Sequence, residues 1–266
     1  MKLWRSLTYI TVADFLVRSG YQMGKTPLLP IFAATLGASG VFLGFIVSVS
    51  TLTGMILKPL VGLLSDRWGR RVWLLTGTTF FAVTPFFYQF VDTSEQLFAI
   101  RLIHGMATAI YGPVTLALVA ELATENRAER LGYFSLARNG GYVVGPMAAG
   151  WLLLTMPAPA VFTVIGIISS IAYLPVLLLP ETRPSSLSRA TALRHQMVEA
   201  LRTGIKTPAV WLAGSVEANF YIVLYAIKTF LPLYAMSIGI NVVTVGLFLS
   251  VIAGVHLVCN PFGGRI

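Results

Sequence analysis

Long apolar stretches separated by short polar turns dominate the pattern of this chain. Residues 72–91 contain no charged side chain, and residues 139–179 contain none over 41 positions, with a turn at Met156–Ala160 between the two halves. A helix of about 20 apolar residues is long enough to cross a bilayer. The pattern therefore predicts an all-α polytopic membrane protein with eight spans. They are expected at residues 6–35, 41–64, 72–91, 96–122, 130–155, 159–179, 209–236 and 242–266.

The composition agrees with a membrane protein and argues against several other classes. The chain is 56% hydrophobic and 11% charged, whereas soluble domains average about 25% charged residues. A single cysteine excludes an intramolecular disulfide. No His/Cys cluster predicts a metal site, and no nucleotide loop or nucleophile arrangement indicates an enzyme. Although the net charge is +9, no basic stripe with interleaved aromatic residues indicates nucleic-acid binding, and no cofactor is expected.

The positive charges lie on one side of the predicted spans. The loops near 36–40, 91–95, 156–158 and 237–241 contain no Lys or Arg. Cytoplasmic loops carry the excess of Lys and Arg in membrane proteins. We therefore expect the N-terminus and the loop at 180–208 to be cytoplasmic, as in a protein of the bacterial cytoplasmic (inner) membrane. The twelve basic residues on that side are Lys2, Arg5, Arg67, Arg70, Arg71, Arg127, Arg130, Arg183, Arg189, Arg194, Arg202 and Lys206.

Two segments of the chain are similar to each other. Residues 29–64 align with residues 231–266 without a gap, and ten of the 36 positions are identical, including Pro30 with Pro232. Six spans separate the two copies, so they share the same topology, as in transporters built from parallel repeats. Two such repeats make a chain of about 400 residues, so we expect this sequence to be a piece of a longer protein.

The repeat and the loops divide the chain into three parts. Residues 1–179 are predicted to form a complete N-terminal six-helix bundle, and residues 209–266 the first two helices of a C-terminal bundle. Residues 180–208 are expected to form a cytoplasmic linker with an amphipathic helix at the membrane surface. The apolar face of that helix is predicted to consist of Leu193, Met197, Leu201 and Ile205.

The turn between the second and third predicted spans carries a dense group of charges. Residues 62–71 read GLLSDRWGRR, and this segment resembles the signature loop G-x-x-x-D-R-x-G-R-R of the major facilitator superfamily of transporters. The resemblance implies a gate that closes the cytoplasmic side, in which Asp66 contacts a helix N-terminus and nearby Arg residues. Glu121, at the cytoplasmic end of the fourth span, is expected to pair with Arg67 or Arg70. A loop that only anchors the topology is the alternative. The predicted gate residues are Gly62, Asp66, Arg67, Gly69, Arg70, Arg71 and Glu121.

Two further motifs resemble members of the same superfamily. Residues 141–150, GYVVGPMAAG, are similar to the G-x-x-x-G-P-x-x-G-G motif of its drug/proton antiporters, with Ala149 in place of a glycine. Glycine lets helices approach closely and proline permits a bend, although plain helix packing is the alternative. Residues 101–105, RLIHG, resemble an R-x-x-x-G segment, which implies that Arg101 tunes a nearby carboxylate. The antiporter motif comprises Gly141, Gly145, Pro146 and Gly150.

Polar residues lie on one face of the first and seventh predicted spans. Asp14 and Lys25 are eleven residues apart, and Glu217 and Lys228 repeat this spacing. Charged side chains within a membrane face the protein interior or a water-filled cavity. We therefore expect both spans to line a central substrate cavity. Its predicted residues are Tyr21, Gln22, Lys25, Arg138, Tyr221, Tyr225 and Lys228.

The carboxylates within the spans are candidates for proton coupling. A carboxylate in a poorly hydrated cavity ionises less readily, while a neighbouring arginine favours its charged form. Such a group can hold or release a proton. The first candidate is Asp14 with Arg18, the second is Glu217, and Arg101 completes the set. The alternative is a static ion pair, such as Asp14 with Arg18.

Together the resemblances imply a secondary transporter, most like the twelve-helix drug/proton antiporters. Proton influx would drive efflux of a small amphipathic or drug-like compound by alternating access, as in multidrug resistance. The resemblance also implies a monomer whose partners are its substrate, protons and the lipid bilayer. One alternative is a sugar or metabolite symporter or uniporter of the same fold. Another is a non-transporting membrane scaffold, if the natural chain ends at Ile266.

Overall fold

The structure is a bundle of helices joined mostly by short turns. The computed structural model describes residues 2–123, 126–181 and 193–263. All regular elements within these ranges are helical, so the predicted all-α class is confirmed. The α-helices are α1 (Lys2–Met23), α2 (Leu29–Thr35), α3 (Gly40–Trp68), α4 (Arg70–Val83), α5 (Ser94–Leu122), α6 (Arg127–Leu152), α7 (Ala158–Ile171), α8 (Tyr173–Leu177), α9 (Leu193–Lys206), α10 (Pro208–Ser237) and α11 (Val242–Gly263).

The helices differ in length and hydropathy, and so in how clearly they qualify as membrane spans. In the described residues, five segments are long and apolar enough to cross a membrane: α3, α5, α7 with α8, α10, and the first 18 residues of α11. The remaining predicted spans are α1, α4 and α6. Charged residues within α1 and α6, and the short length of α4, weaken their apolar signal.

Proline interrupts three predicted spans that were each expected to be one continuous helix. The first span divides into α1 and α2 at a π-helical turn, Gly24–Leu28, which contains Pro27. The third continues after α4 as a 3₁₀ segment, Thr84–Phe90, with Pro85 in its first turn. The sixth divides into α7 and α8 just before Pro175. Proline has no backbone N–H and its ring collides with the preceding turn, so it breaks a regular α-helix.

Two apolar clusters fill the space between the first six spans. The cluster at the signature-loop end includes Leu74, Phe81 and Tyr111, and the cluster at the other end includes Leu28 and Phe162. All five side chains are at most 2% exposed. These two clusters therefore belong to the first six spans, and they fix the positions of the charged residues that those spans carry.

The helices α10 and α11 lie against one side of this bundle. The helix α11 packs along α6, and α10 contacts α2 and the π-helical turn. Much of α10 is uncovered, since Val216 and Ile222 are 64% and 68% exposed. The space between α10 and the first six spans contains the cavities described below.

A helix is also present in the segment where the sequence predicts an amphipathic helix. The helix α9 lies beside the ends of α3 and α10, and the Trp211 indole donates to the carbonyl oxygen of Ile205 over 2.8 Å. Ile205 is 63% exposed. Several residues named in the sequence predictions have side chains outside the described part: Lys2, Arg183, Arg189, Leu193, Arg194, Met197, Leu201 and Ile266.

Candidate functional site

Asp14 of α1 is fully buried and contacts two arginines. Arg138 of α6 donates from Nε and Nη2 to its two carboxylate oxygens, each over 2.9 Å. Nε of Arg18 lies 3.7 Å from Oδ1 of Asp14. Arg138 Nη2 also donates to Thr115 Oγ1 of α5 over 2.8 Å. A bidentate pair of this kind is strong and geometrically specific, so Asp14 joins α1 to α6. The static ion pair named from the sequence is Asp14 with Arg18, whereas in the structure Arg138 makes the closer contact.

Arg101 of α5 is 1% exposed and is held by α3. Its Nε donates to the carbonyl oxygen of Ile46 over 3.4 Å, and its Nη2 donates to the hydroxyl of Ser50. The side chains of Tyr21 and Tyr88 also interact with the guanidinium. Within the described residues its partners are therefore carbonyl and hydroxyl oxygens, and not the carboxylate that the sequence resemblance implies.

A polar cavity of about 250 Å³ lies between α1, α6, α10 and α11, and we call it the central cavity. Six of the seven residues predicted to line a substrate cavity line this one. Tyr21 instead packs edge-on against Phe81 and His104 inside the bundle, with ring centroids 5.7 and 5.6 Å apart. The six are Gln22, Lys25, Arg138, Tyr221, Tyr225 and Lys228.

Lys25 enters the central cavity from the π-helical turn. Its Nζ donates to the hydroxyl of Tyr225 over 3.0 Å and lies 4.3 Å from the centroid of that ring. Lys228 of α10 lines the same cavity, as does Arg138. The described lining thus contains three cationic side chains and no carboxylate.

A second cavity of about 600 Å³, the adjoining cavity, lies between α3 and α10. Glu217 and Lys58 are the charged residues that line it, and no ion pair joins them in the described structure. Tyr221 and Tyr225 border both cavities. The two carboxylates predicted for proton coupling therefore differ, because Asp14 is enclosed by arginines while Glu217 faces open space.

The charges of the signature loop form a partly exposed network. Arg70 pairs with Asp66, and its Nε lies 3.0 Å from Oε1 of Glu121. Of the two partners considered for Glu121, the structure therefore selects Arg70. Arg71 donates to the carbonyl oxygen of Leu177 in α8 over 2.7 Å, which ties the loop to the sixth span.

The two glycines of this loop have different surroundings. Gly69 has a φ of 96°, in the region that favours glycine. A methyl group on Gly62 would meet no atom within 4 Å. Gly62 and Asp66 line an apolar cleft of about 990 Å³ that runs to α9 and α10, and Arg67 is partly exposed beside it. Nothing in this structure explains why position 62 should be glycine.

The helix α6 packs closely against a neighbour on each side through glycines of its motif. A Cβ atom on Gly145 would lie 2.7 Å from Cβ of Gln22 in α1. On the other side, a Cβ atom on Gly150 would lie 2.8 Å from the carbonyl oxygen of Val242 in α11. Contacts this short exclude larger residues. The motif therefore allows α1 and α11 to pack closely against α6, the helix that carries Arg138.

A comparison with known families identifies this arrangement. The family model of the Major Facilitator Superfamily matches residues 13–266, nearly the whole chain. The chain belongs to this superfamily. It is therefore an integral membrane protein of a family of carriers, and the expectation that it is not an enzyme is confirmed.

Two relatives within the superfamily are named for drug resistance. Multidrug resistance protein 1 of Bacillus subtilis is 30% identical over 183 residues, which are 68% of this chain and 45% of the relative. Quinolone resistance protein NorA of Staphylococcus aureus is 26% identical over 208 residues, 76% of this chain and 53% of the relative. The chain spans about half the length of the curated relatives it matches.

Solved structures confirm the major facilitator fold. A bacterial homologue of the human lysosomal transporter Spinster superposes with a TM-score of 0.73 at 17% identity, covering 98% of this chain and 62% of the homologue. Tetrameric PepTSo2 gives a TM-score of 0.63 at 14% identity, covering 83% of this chain and 53% of the PepTSo2 chain. At these identities the likeness concerns the fold.

Sequence reasoning missed several residues around the cavity and the ion pairs. Tyr142 could have been found, since it follows Arg138 by four residues and shares its helix face. His256 could also have been found, as a polar residue within an apolar helix. Ser50 and Thr115 carried no signal, because hydroxyls within a helix usually bond to their own backbone. Asn139 also lines the cavity.

Proposed function

We propose that this protein is a secondary transporter that exports small amphipathic, drug-like compounds in exchange for protons. Its membership in the major facilitator superfamily supports transport. Its similarity to relatives named multidrug resistance protein and quinolone resistance protein supports export and the drug-like class. The antiporter motif of α6, with its tight contacts to α1 and α11, also supports export rather than import.

Glu217 is the carboxylate that we propose for proton exchange. It lines the adjoining cavity without an ion pair in the described residues, and this observation carries the proposal. The groups that face it are Lys58 across the cavity and Tyr221 on its own helix. A carboxylate holds either a proton or the positive group of a bound compound. Competition between the two ligands is what exchange requires.

Asp14 has a different role in this proposal. Its bidentate contact with Arg138 and its proximity to Arg18 make it part of a geometrically specific ion pair between helices. Asp14 then fixes α1 against α6 and neutralises much of the positive charge that Arg138 brings to the central cavity. Arg101 holds α5 against α3 in a similar way.

Alternating access would move two groups of helices relative to each other. We assign residues 1–179 and 209–266 to these groups, with 180–208 as the linker, in line with the internal repeat. The signature loop would act as the cytoplasmic gate, and its ion pairs, whose two carboxylates are exposed, would break and re-form as the gate moves. The asymmetry of Lys and Arg supports a cytoplasmic N-terminus in the bacterial cytoplasmic membrane. We further propose a monomer.

Inside-out membrane vesicles provide the test of this function. A fluorescent amphipathic amine is added outside vesicles that contain the protein, and respiration acidifies their lumen. We expect the amine to accumulate beyond the level in vesicles without the protein, and to leak out when nigericin collapses the pH gradient. Vesicles with the Glu217→Gln variant should not accumulate the amine beyond the control level. Vesicles with Glu199→Gln, a substitution on the exposed face of α9, should accumulate it as the unmodified protein does. Accumulation that does not need the pH gradient would contradict proton exchange.

A further inference from the structure

All the charged side chains in the described lining of the central cavity are positive. Lys25, Arg138 and Lys228 border it, and its described lining contains no carboxylate. Arg138 is occupied by Asp14 through two hydrogen bonds. Lys25 and Lys228 are therefore the two cations of the cavity without a carboxylate partner in the described structure.

The described contacts of Lys25 include no carboxylate. Lys25 is only 6% exposed, and its contacts are neutral: the hydroxyl of Tyr225 at 3.0 Å and the ring of Tyr21 at 5.7 Å. Buried charges without a counter-charge are costly. The cavity is thus suited to a negatively charged ligand group.

We infer that the transported compounds are zwitterionic, with an acidic group, such as a carboxylate, bound by Lys25 and Lys228 and a basic group next to Glu217. This inference rests on the proposed function, since it adds the acidic group to a compound whose basic group competes with the proton. It defines the central cavity as the acid subsite and the adjoining cavity as the base subsite.

The two cavities are placed so that one molecule can occupy both. They share the walls formed by Tyr221 and Tyr225, whose rings offer apolar surface to the body of the compound. Glu217 and Lys228 lie eleven residues apart on α10, about 16 Å along the axis at 1.5 Å per residue. The acidic and basic groups must therefore sit at opposite ends of a drug-sized molecule. An α-amino acid, whose two charges are adjacent, would not reach both subsites.

Three fluorescent probes built on one anthracene ring test the inference with the protein purified in detergent. The first probe carries an aminomethyl group and the second carries a carboxylate. The third carries both groups, one at each end of the ring system. We expect the third probe to bind at least about tenfold more tightly than the aminomethyl probe, as a charge-assisted hydrogen bond provides. Lys228→Gln should remove this advantage, so that the third probe binds no more tightly than the aminomethyl probe, and Lys25→Gln serves as the second variant. Lys206→Gln, which removes the same charge from the exposed face of α9, should change neither.

The outcomes separate the inference from the function on which it rests. If the aminomethyl probe binds as tightly as the zwitterion, and both lysine variants bind all probes like the unmodified protein, the acid subsite does not exist while export of amines stands. If Lys228→Gln and Lys25→Gln weaken the aminomethyl probe and the zwitterion equally, the lysines act on structure and the inference fails. If none of the probes binds, the proposed function fails and the inference with it.

Discussion

Asp14 and Glu217 occupy similar positions in the sequence but very different positions in the structure. Each lies within a span, and each is followed by a lysine eleven residues later. Asp14 is fully buried and bonded to Arg138, whereas Glu217 lines an open cavity without an ion pair in the described part of the chain. A shared pattern therefore does not imply a shared role, because the role depends on which cations the neighbouring helices supply.

The difference arises from the packing of α6. Its glycines allow α1 to approach closely, and this brings Arg138 to Asp14. The helix α10 has no comparable contact along the stretch that contains Glu217, which remains exposed. A carboxylate enclosed by arginines is a structural anion, while one that faces a cavity is free to exchange ligands.

Asp14→Asn should have the largest effect on stability. The substitution leaves Arg138 and Arg18 without their anion in the membrane interior, and breaking a buried pair in this way costs about 3–5 kcal/mol. Thermal unfolding of the purified protein measures the loss. The double variant Asp14→Asn/Arg138→Gln should recover part of it, because it also removes one uncompensated cation. Unchanged stability of Asp14→Asn would refute the structural role.

Gly145→Ala should have an intermediate effect, because it tests the packing that brings the pair together. The added methyl group would lie 2.7–2.9 Å from atoms of Gln22, Met23 and Ser19, and overpacking of this kind costs about 1–3 kcal/mol. Gly140→Ala is the matched control, since its methyl group would meet only the Phe15 ring, at 3.6 Å. Equal melting temperatures for the two variants would show that the close approach of α1 and α6 is not required.

Glu217→Gln should have the smallest effect on stability. Substitutions on exposed surfaces without specific contacts usually change stability by at most about 0.5 kcal/mol, and Glu217 has no ion pair to lose in the described structure. The same thermal unfolding assay measures the stability of Glu217→Gln and compares it with that of Asp14→Asn. A loss as large as that of Asp14→Asn would mean that the two carboxylates play the same role, and the comparison would fail.

Most of the fold could be predicted from the sequence, for a physical reason. A bilayer requires each span to satisfy its own backbone hydrogen bonds, so long apolar runs become helices. The family signature at residues 62–71 added the arrangement of those helices. The breaks at Pro27 and Pro85 were missed, although proline is a recognised signal, because apolar composition alone suggested continuous spans.

The sequence could predict those parts of the site whose residues lie on one face of a single helix. Gln22 and Lys25 could be assigned to a cavity from their spacing on the first span. The Asp14–Arg138 pair could not, since it joins residues 124 positions apart and depends on the register of α6 against α1. The same limit applies to Arg101, whose partners Ile46 and Ser50 lie on α3.

Proton movement driven by a compound gradient tests the central claim, exchange through Glu217, most directly. The protein is reconstituted into liposomes with a pH-sensitive dye inside, and the aminomethyl anthracene probe is then added outside. We expect probe entry to drive protons out of liposomes that contain the unmodified protein. Glu217→Gln should move no protons, and its unchanged melting temperature should show that the variant is folded. Proton movement by Glu217→Gln at the rate of the unmodified protein would contradict the account.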